Sequence, residues 1–511
     1  MKIGIYNEHL GTMGGGEKHM GSIIEYFLNK NNEVDLLTSK PVDLDLMSVK
    51  LKLNIKACRL IVLDSTSMEL EKLSKNYDVF INSSYLSTLK PRAKKNLMIL
   101  FFPNISICNL LSHSTLFRKL IKYINTFDNV EYGQGFYGQE KHNKYFKRKF
   151  GRWTNKDFEF SFVADKAQTQ KIQINVLKLG QLSIQNDIEG VYQGNEEIAY
   201  KIKKNKIIFE VASNVGKNII AVRLKDSFQK ENDKRDLGIF VKSIYVKSGL
   251  LSWFKTMFLI VFKDFRIFDF LDYYDLVLAN SEYTQKWLYK IWQKKATILY
   301  PLVEVVDFLN DEPKQKKIIS VGRFFVGSHN KKHLIMIKAF KQMYDKGLLK
   351  GWEYNVCGGT HPEKAHQQYL EEIKNAAKGY PINICPDIPF TELKKMYSES
   401  SIFWHAAGYD ENENRHPDKF EHFGITTVEA MASGCIPVVI GKAGQLEIVT
   451  DGISGFLWND LVDLEEKMKQ ALRMPDESIN KIRVNAINRA KDFSREAFFV
   501  RAESIFKDLE N

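Results

Sequence analysis

The chain of 511 residues has few features of an exported or membrane-embedded protein. Its cysteines are odd in number and lack metal-type spacing, which favours a reducing compartment and argues against a disulfide framework or a zinc site. They stand at Cys58, Cys108, Cys357, Cys385 and Cys435. The most apolar run, 250–270, contains five charged residues, too many for a membrane span. No signal peptide precedes the first apolar strand, so we expect a cytoplasmic protein.

Negative charge is outweighed in this chain, and the formal net charge is +12. The imbalance is greatest between Lys90 and Glu159, where fourteen Lys or Arg face five Asp or Glu. Within it, the segment Lys144–Trp153 interleaves aromatic and cationic side chains. This pattern is typical of a nucleic-acid surface, of contact with an anionic membrane or acceptor, or of a solvated basic face. No nucleic-acid-binding motif accompanies it, so we expect no nucleic-acid partner.

The alternation of strand and helix patterns predicts the domain organisation. In both outer parts of the chain, short apolar strands alternate with helical patterns, which predicts parallel, doubly wound α/β sheets. Between them, β-rich runs joined by turn signals predict a small antiparallel β-sandwich inserted into the first domain. We therefore expect an N-terminal domain at 1–155 and 246–300, an insert at 156–245, a C-terminal domain at 301–490, and a last helix at 491–511 that crosses back to the N-terminal domain.

The most informative segment is Phe420–Val439, F-E-H-F-G-I-T-T-V-E-A-M-A-S-G-C-I-P-V-V. Glu421 and Glu429 lie eight residues apart, around a loop in which Gly424 allows a tight turn into a short helix. The amides at the start of that helix, together with the positive end of its dipole, attract a phosphate. Glu421 is placed for a sugar hydroxyl and Glu429 for a ribose diol, so the layout indicates a diphosphate-linked sugar.

This segment resembles the E-x7-E signature of the retaining GT-B glycosyltransferases of family four, and its E-H-F-G-I run is similar to that of mannosyltransferases in that family. An ordinary strand–loop–helix unit with two surface glutamates explains the spacing alone equally well. The resemblance covers roughly 1–40, 265–345 and 350–460. It implies two Rossmann-like domains facing a cleft, with a nucleotide-sugar bound by the C-terminal one, partly through the amides of Ile425 and Thr426.

A second run, Ser320–Phe340, also resembles the family pattern. Arg323 leaves the carboxyl end of a strand and Lys331 begins the next helix, with Lys332 as the fallback. A guanidinium fork and an ammonium point charge can together neutralise a diphosphate leaving group. With Glu421, the residues Arg323 and Lys331 are the expected catalytic groups.

The glycines of the first strand–helix turn, Gly14, Gly15 and Gly16, let the backbone approach a phosphate closely, although a plain tight turn is an equal interpretation. Within the family they resemble the loop that closes over the donor diphosphate. The resemblance further implies donor contacts at Gly358 and His405.

The segment G-K-A-G-Q-L-E-I-V resembles a family block in which Gly444 is a further donor contact, with Ala443 in place of the first glycine. The acidic, histidine-bearing loop Asp410–Lys419 lacks metal-ligand spacing. We expect this loop to be mobile and solvated, and we expect no metal site.

One departure from the family stands at Phe101 and Phe102, where many members have a histidine near the reacting carbon. Either another group, His9, Asn104 or His405, does its work, or the chain functions without it.

The sequence thus favours a retaining, metal-independent hexosyltransferase that needs no cofactor. The donor is a GDP- or UDP-linked sugar, with mannose as the guess, and the acceptor is a glycan or lipid-linked intermediate of cell-surface polysaccharide or glycolipid synthesis. We expect peripheral contact with the anionic inner face of the plasma membrane. The alternative is a non-catalytic sugar-nucleotide or glycan-binding protein derived from the same fold.

Overall fold

The computed structural model describes residues 1–8, 10, 14–63, 67–84, 87–103, 130–144, 147–164, 167–177, 182, 184–230, 233–247, 270–327 and 330–509. His9 and Asn104, two candidates for the role of the family histidine, lie outside these residues. So do parts of the glycine loop, of the basic segment and of the apolar run at 250–270.

The N-terminal domain is built on a parallel sheet. Its strands are β1 (Lys2–Tyr6), β2 (Glu33–Thr38), β3 (Arg59–Val62), β4 (Val79–Asn82), β5 (Lys95–Leu100), β19 (Leu276–Ala279) and β20 (Thr297–Ile298). They lie in the order β20-β19-β5-β4-β1-β2-β3. The helices are α1 (Gly15–Asn29), α2 (Leu44–Leu51), α3 (Ser67–Leu73) and α4 (Glu282–Trp292), with a 3₁₀ turn at Ser74–Asn76. The side chains of Asp43 and Ser281 accept backbone N–H groups at the starts of α2 and α4, which fixes where these helices begin.

Between β5 and β19 the chain forms antiparallel sheets. Their strands are β6 (Val130–Tyr132), β7 (Phe136–Lys144), β8 (Lys147–Thr154), β9 (Asp157–Ala164), β10 (Gln168–Leu177), β11 (Ile188–Gln193), β12 (Glu196–Glu197), β13 (Tyr200–Lys203), β14 (Lys206–Ser213), β15 (Gly216–Leu224), β16 (Phe228–Lys230), β17 (Asp233–Leu237) and β18 (Phe240–Lys247). One sheet has the order β13-β14-β10-β18-β8-β7 and another β12-β11-β15-β9-β6, while β16 and β17 pair separately.

The two larger antiparallel sheets share a hydrophobic core. Alternate residues of β9, such as Phe158 and Phe160, pack in one cluster with Ile172 of β10 and Phe209 of β14. This alternation is the period expected of strands with one buried face.

The antiparallel region begins earlier than the sequence suggested. Its first strand starts at Val130, whereas we expected the insert to begin at 156. Lys144 and residues 147–153 of the basic segment therefore lie in β7 and β8 of the insert and not in the parallel N-terminal domain. The charges of this segment resemble a surface loop in sequence, but its backbone finds ladder partners in β7 and β18.

The C-terminal domain has a second parallel sheet. Its strands are β21 (Gln315–Val321), β22 (Glu353–Gly358), β23 (Ile382–Pro386), β24 (Ser400–His405), β25 (Ile436–Ile440) and β26 (Phe456–Trp458), in the order β23-β22-β21-β24-β25-β26. The helices are α5 (His333–Asp345), α6 (Lys364–Ala377), α7 (Phe390–Glu399), α8 (Ile425–Ala432), α9 (Gln445–Ile448), α10 (Leu461–Arg473) and α11 (Asp476–Lys491). Short 3₁₀ turns lie at Val305–Phe308 and Pro417–Lys419.

The last helix, α12 (Arg495–Phe506), returns to the N-terminal domain and ends in a 3₁₀ turn at Lys507–Leu509. Phe498 and Phe506 join the hydrophobic cluster formed by α1 and the first strands. The hydroxyl of Tyr26 on α1 donates to Glu503 at 2.9 Å. None of the helices in the described part of the chain has the length and hydropathy to span a bilayer.

The docking of α12 yields a stability prediction. Phe498 is 1% exposed, so Phe498→Ala is expected to lower the free energy of unfolding of the N-terminal domain by about 3–5 kcal/mol. Val500 on the same helix is 71% exposed, and Val500→Ala is the matched control, with a change within about 0.5 kcal/mol. Urea unfolding of the full chain measures both, and equal effects of the two substitutions would contradict the packing described here.

Candidate functional site

The glutamate signature forms a loop and helix start at the edge of the second sheet. Gly424 is the N-cap of α8 with φ +123°, a conformation that disfavours any side chain. A Cβ there would also lie 2.6 Å from Nε2 of Gln445. The glycine therefore sets the turn that places the amides of Ile425 and Thr426 in the first turn of α8, before its intrahelical bonds begin. The carbonyl of Thr426 accepts the Tyr397 hydroxyl at 3.3 Å.

Three side chains meet beside this helix start, and we call them the Glu421 cluster: Glu421, Lys331 and His405. The Lys331 ammonium donates to Oε2 of Glu421, and Nε2 of His405 lies 2.8 Å from the same oxygen. Burial by itself raises the pKa of Glu421, but the Lys331 ammonium and the His405 hydrogen bond outweigh it and hold that pKa well below its usual range. Burial lowers the pKa of His405 although Glu421 opposes the shift. Glu421 and Lys331 are thus a charged pair in a largely enclosed place.

The sheet itself brings this cluster together. His405 is the last residue of β24, and Gly322 follows β21, its neighbour in the sheet. A Cβ on Gly322 would lie 2.6 Å from Cγ of Lys331, so the absence of a side chain makes room for the lysine. The carboxyl ends of parallel strands are where open α/β sheets bind ligands.

Arg323 occupies a different position from the one its predicted pairing implied. It is exposed, and its guanidinium lies over the ring of Phe325, 4.7 Å from the centroid. The cluster contains Lys331 but not the Arg323 head group. Lys332, the fallback, instead pairs with Glu411 at 2.8 Å, which leaves Lys331 as the lysine at Glu421.

Two further predicted glycines support backbone contacts. A Cβ on Gly358 would lie 1.9 Å from the carbonyl oxygen of Gly322, so the turn after β22 packs directly on the turn after β21. Gly444 lies behind the loop, where its N–H donates to the carbonyl of Glu421 at 2.9 Å and a Cβ would lie 2.5 Å from the carbonyl of Phe423. Gly444 thus holds the Glu421 loop in place from behind.

The second glutamate of the signature, Glu429, lies in the second turn of α8. Burial raises the pKa of Glu429 to about 7, with the hydrogen bond from Tyr397 and the charge of Lys18 opposing the shift. The Tyr397 hydroxyl lies 3.2 Å from Oε2 of Glu429. The surroundings of Glu429 and Glu421 therefore shift their pKa values in opposite directions, although both residues belong to the same motif.

The N-terminal glycine loop meets this helix from across the cleft. Gly14 is the N-cap of α1, and its N–H donates to Glu17 at 2.8 Å. A Cβ on Gly15 would lie 2.9 Å from Cδ1 of Ile425, and one on Gly16 would lie 3.4 Å from Phe101. Gly15 therefore allows the two domains to approach each other at the start of α8, while Gly16 makes room for an aromatic ring of its own domain.

Lys18 is a site residue that sequence reasoning did not single out. It follows the glycine loop on α1, and its ammonium lies 3.4 Å from Glu304 at the start of the C-terminal half. Burial lowers the pKa of Lys18, while Glu304 and Glu429 oppose that shift. A lysine in the first turn of α1, directly after the glycine loop, was the sequence feature that could have indicated this role.

The place of the expected family histidine is filled by aromatic contacts between the domains. Phe102 stacks on His422 with ring centroids 4.1 Å apart and an angle of 12°. Phe101 packs edge-on against the buried His19 of α1. His422, next to Glu421, is therefore a histidine of the C-terminal domain that contacts the N-terminal domain.

The acidic loop was predicted to be mobile and solvated; Asp410, Asn412 and residues 414–416 are indeed exposed, but other residues of the loop contact both domains. Glu411 pairs with Lys332 and with Lys419, each at 2.8 Å. The hydroxyl of Tyr283 on α4 donates to the carbonyl of Pro417 at 3.0 Å. Ion pairs and an interdomain hydrogen bond, which spacing alone does not reveal, hold this loop in place.

Glu447 joins the domains on the other side of the Glu421 loop. Its carboxylate accepts the backbone N–H of Glu282 at 2.8 Å and that of Tyr283 at 3.4 Å, at the start of α4. A helix N-terminus favours a negative group, yet burial raises the pKa of Glu447 to about 7. The carboxyl group of Glu447, in the C-terminal domain, thus binds the start of α4 in the N-terminal domain.

One group in the described residues has the composition of a metal site: His361, Glu363 and His366, with ligand atoms within 4.8 Å of one another. Nδ1 of His361 accepts the N–H of Glu363 at 3.2 Å, and Nδ1 of His366 accepts the N–H of Val326 at 3.1 Å. A metal bound at either Nδ1 atom would displace one of these backbone hydrogen bonds, and a metal bound at Nε2 would place the ring proton on Nδ1, where it conflicts with the same bond.

Comparisons with known proteins show what the C-terminal domain and the fold are similar to. Residues 306–493 match the family model described as Glycosyl transferases group 1. A Xenopus laevis protein named GDP-Man:Man(3)GlcNAc(2)-PP-Dol alpha-1,2-mannosyltransferase is 28% identical over 253 residues, which are 46% of this chain and 49% of that protein. The chain thus spans about half the length of the curated relatives it matches.

Solved structures are similar over nearly the whole chain. A glycosyltransferase from Rickettsia africae ESF-5 has a TM-score of 0.53 and 12% identity over 100% of this chain and 98% of that one. Anabaena HepE in complex with UDP has a TM-score of 0.54 and 10% identity over 99% and 100%. At this identity the likeness concerns the fold. The chain therefore has the GT-B fold, and its residues 306–493 are similar to the group 1 glycosyltransferases.

Proposed function

We propose that this chain is a retaining hexosyltransferase that moves mannose from GDP-mannose to a lipid-linked or cell-surface glycan. The observation that carries the proposal is the Glu421 cluster at the carboxyl ends of β21 and β24, beside the start of α8. The Xenopus laevis relative supports the choice of substrates, because its name gives GDP-Man and a PP-Dol-linked glycan. UDP-linked sugars are the second choice of donor, supported by the likeness to HepE with UDP.

In the proposed donor complex, the diphosphate lies against the Lys331 ammonium and the first-turn amides of α8. Cleavage of the glycosidic bond develops negative charge on the departing phosphate, and this preorganised cation and helix dipole stabilise that charge most in the transition state. Glu421 accepts hydroxyls of the transferred sugar, and Glu429 accepts the ribose diol. Arg323 reaches the phosphates by leaving the Phe325 ring.

Retention follows if the acceptor hydroxyl attacks from the face that the phosphate leaves. The acceptor proton then passes to the departing phosphate, so no protein nucleophile is needed. The approach of the glycine loop to α8 aligns the acceptor and keeps water from the donor. These groups supply the charge stabilisation without a cofactor or a metal ion, and we propose that none is required.

The acceptor is proposed to lie on the N-terminal side of the cleft, at the inner face of the plasma membrane. The net charge of +12 supports peripheral contact with anionic lipids. The proposal fits a glycan carried on a lipid diphosphate, since such an acceptor is itself anionic.

Donor binding and turnover together test the proposal. GDP-mannose is expected to raise the melting temperature of the full chain more than UDP-glucose does, because a ligand at 100 times its Kd stabilises the folded state by about 2.7 kcal/mol. Adding a lipid-diphosphate-linked glycan is expected to release GDP and transfer mannose, with equal rates in excess EDTA. Tight donor binding without release would instead favour a non-catalytic sugar-nucleotide-binding protein, and a loss of rate in EDTA would contradict metal independence.

The role of Glu421 is tested by Glu421→Gln. Loss of the negative charge removes the partner of Lys331 and an acceptor for the sugar hydroxyls, so turnover is expected to fall roughly a hundredfold or more. Glu411 is an instructive control because its side chain is similarly exposed, 17% against 18%, and pairs with two lysines. Near-normal turnover in Glu421→Gln, or an equal loss in Glu411→Gln, measured as released GDP, would show that no special role belongs to Glu421.

The raised pKa of Glu429 gives a pH prediction. Its carboxyl ionises near pH 7, and only the ionised form accepts both ribose hydroxyls. The affinity for GDP is therefore expected to fall about tenfold from pH 8 to pH 6, since the ionised fraction falls about tenfold over that range. Glu429→Gln should bind weakly at every pH, while Glu447→Gln, which removes the other carboxyl with a pKa of about 7, should keep the pH dependence. Calorimetric titration of GDP measures all three, and an unchanged slope in Glu429→Gln would place the titrating group elsewhere.

A further inference from the structure

Two cysteines stand side by side in the C-terminal sheet, next to the candidate site. Cys357 on β22 is the register partner of Cys385 on β23. Register partners on neighbouring strands point to the same face, with the strands about 4.8 Å apart. Disulfides join residues whose Cα atoms are roughly 4.4–6.8 Å apart. The backbone therefore already holds these residues at a separation that a disulfide spans.

The two thiols also differ in their surroundings. Sγ of Cys357 lies 3.5 Å from the sulfur of Met396, and Sγ of Cys385 lies 3.7 Å from the carbonyl oxygen of Asn383. Cys357 is buried whereas Cys385 is half-buried, so the second is within reach of a small oxidant. The hydrogen bond with Cys357 lowers the pKa of Cys385, although burial opposes the shift. The accessible thiol is therefore the one that ionises first, and the thiolate is the reactive form.

We propose that Cys357 and Cys385 form an oxidative modification site that closes to a reversible disulfide when the protein meets a small-molecule disulfide such as oxidised glutathione. The Cys385 thiolate attacks one glutathione sulfur and releases the other glutathione as a thiolate, which takes up a proton. The Cys357 sulfur then displaces the bound glutathione. The two protein thiols together lose two electrons and two protons, and one oxidised glutathione becomes two reduced molecules.

The position of the bond gives it a consequence for the cleft. Cys357 precedes Gly358, whose Cβ would lie 1.9 Å from the carbonyl of Gly322, so the turn has no spare room. The carbonyl of Gly358 also accepts the N–H of Asp387 at 3.0 Å. A covalent link between β22 and β23 removes the freedom of this turn to adjust when a donor binds beside the end of β21, which precedes Lys331. Oxidation is therefore expected to weaken donor binding, a step that rests on the proposed function.

Peptide mapping tests the disulfide without reference to activity. The full chain is incubated with oxidised glutathione, alkylated and digested without reduction. One linked peptide pair joining Cys357 to Cys385, two hydrogen atoms lighter than the free thiols and absent after dithiothreitol, is the expected result. Cys58→Ser, which alters a buried thiol of the N-terminal domain, should form the same link.

Two variants keep this test decisive. Cys385→Ser and, separately, Cys357→Ser should form no link, and Cys357→Ser should retain a glutathione on Cys385. Persistent glutathione on Cys385 of the unaltered chain, or two reduced thiols after treatment, would overturn the proposal.

Donor binding is measured on the same samples. The Kd for GDP-mannose is expected to rise several-fold on oxidation and to recover with dithiothreitol, and Cys385→Ser should be insensitive. An unchanged Kd in a fully linked sample would overturn the coupling to the cleft. A reduced protein that binds no sugar nucleotide would refute the proposed function instead, and the peptide map would still decide the disulfide.

Discussion

The pairing of a largely enclosed carboxylate with one ammonium is the interaction on which the cleft depends. Glu421 is held ionised by Lys331 and His405 in a place where an unpaired charge would be costly. The pair is possible because β21 and β24 are neighbours, and because Gly322 leaves room for the lysine stem. A cation fixed at the mouth of the sheet needs no reorganisation when an anionic ligand arrives, which is the condition for effective charge stabilisation.

The same loop also joins the two domains. Gly15 lies against Ile425, Phe102 stacks on His422, and Glu447 accepts two amides at the start of α4. These contacts come from three separate segments of the N-terminal domain and converge on the 421–447 region of the C-terminal domain. A change in the position of one domain is therefore transmitted directly to the residues around the Glu421 cluster.

The pKa values of the three glutamates around the site differ more than the sequence suggests. Glu421 has a pKa held well below its usual range, whereas burial raises the pKa of Glu429 and of Glu447 to about 7. The difference lies in the partners, because Glu421 faces a close ammonium while the other two face mainly hydroxyl and amide donors. Carboxyls with such separated pKa values are typical of functional clefts.

The sequence by itself determined the two parallel α/β domains and the glycine-directed turn at Gly424, whereas the resemblance to a known family is what named Lys331 together with Glu421. Strand period, helix caps and glycine requirements are local properties, so they can be read from neighbouring residues. The start of the antiparallel region at Val130 was missed, because the charged β7–β8 hairpin gains its strand character only from its ladder partners.

Only the tertiary structure decided which groups meet across the chain. It packed the acidic loop against α4, and it brought Lys18 and His422 to the interface between the domains. Contacts between residues so far apart in the chain depend on how the sheets and their loops pack, and that arrangement leaves no periodic trace in the sequence.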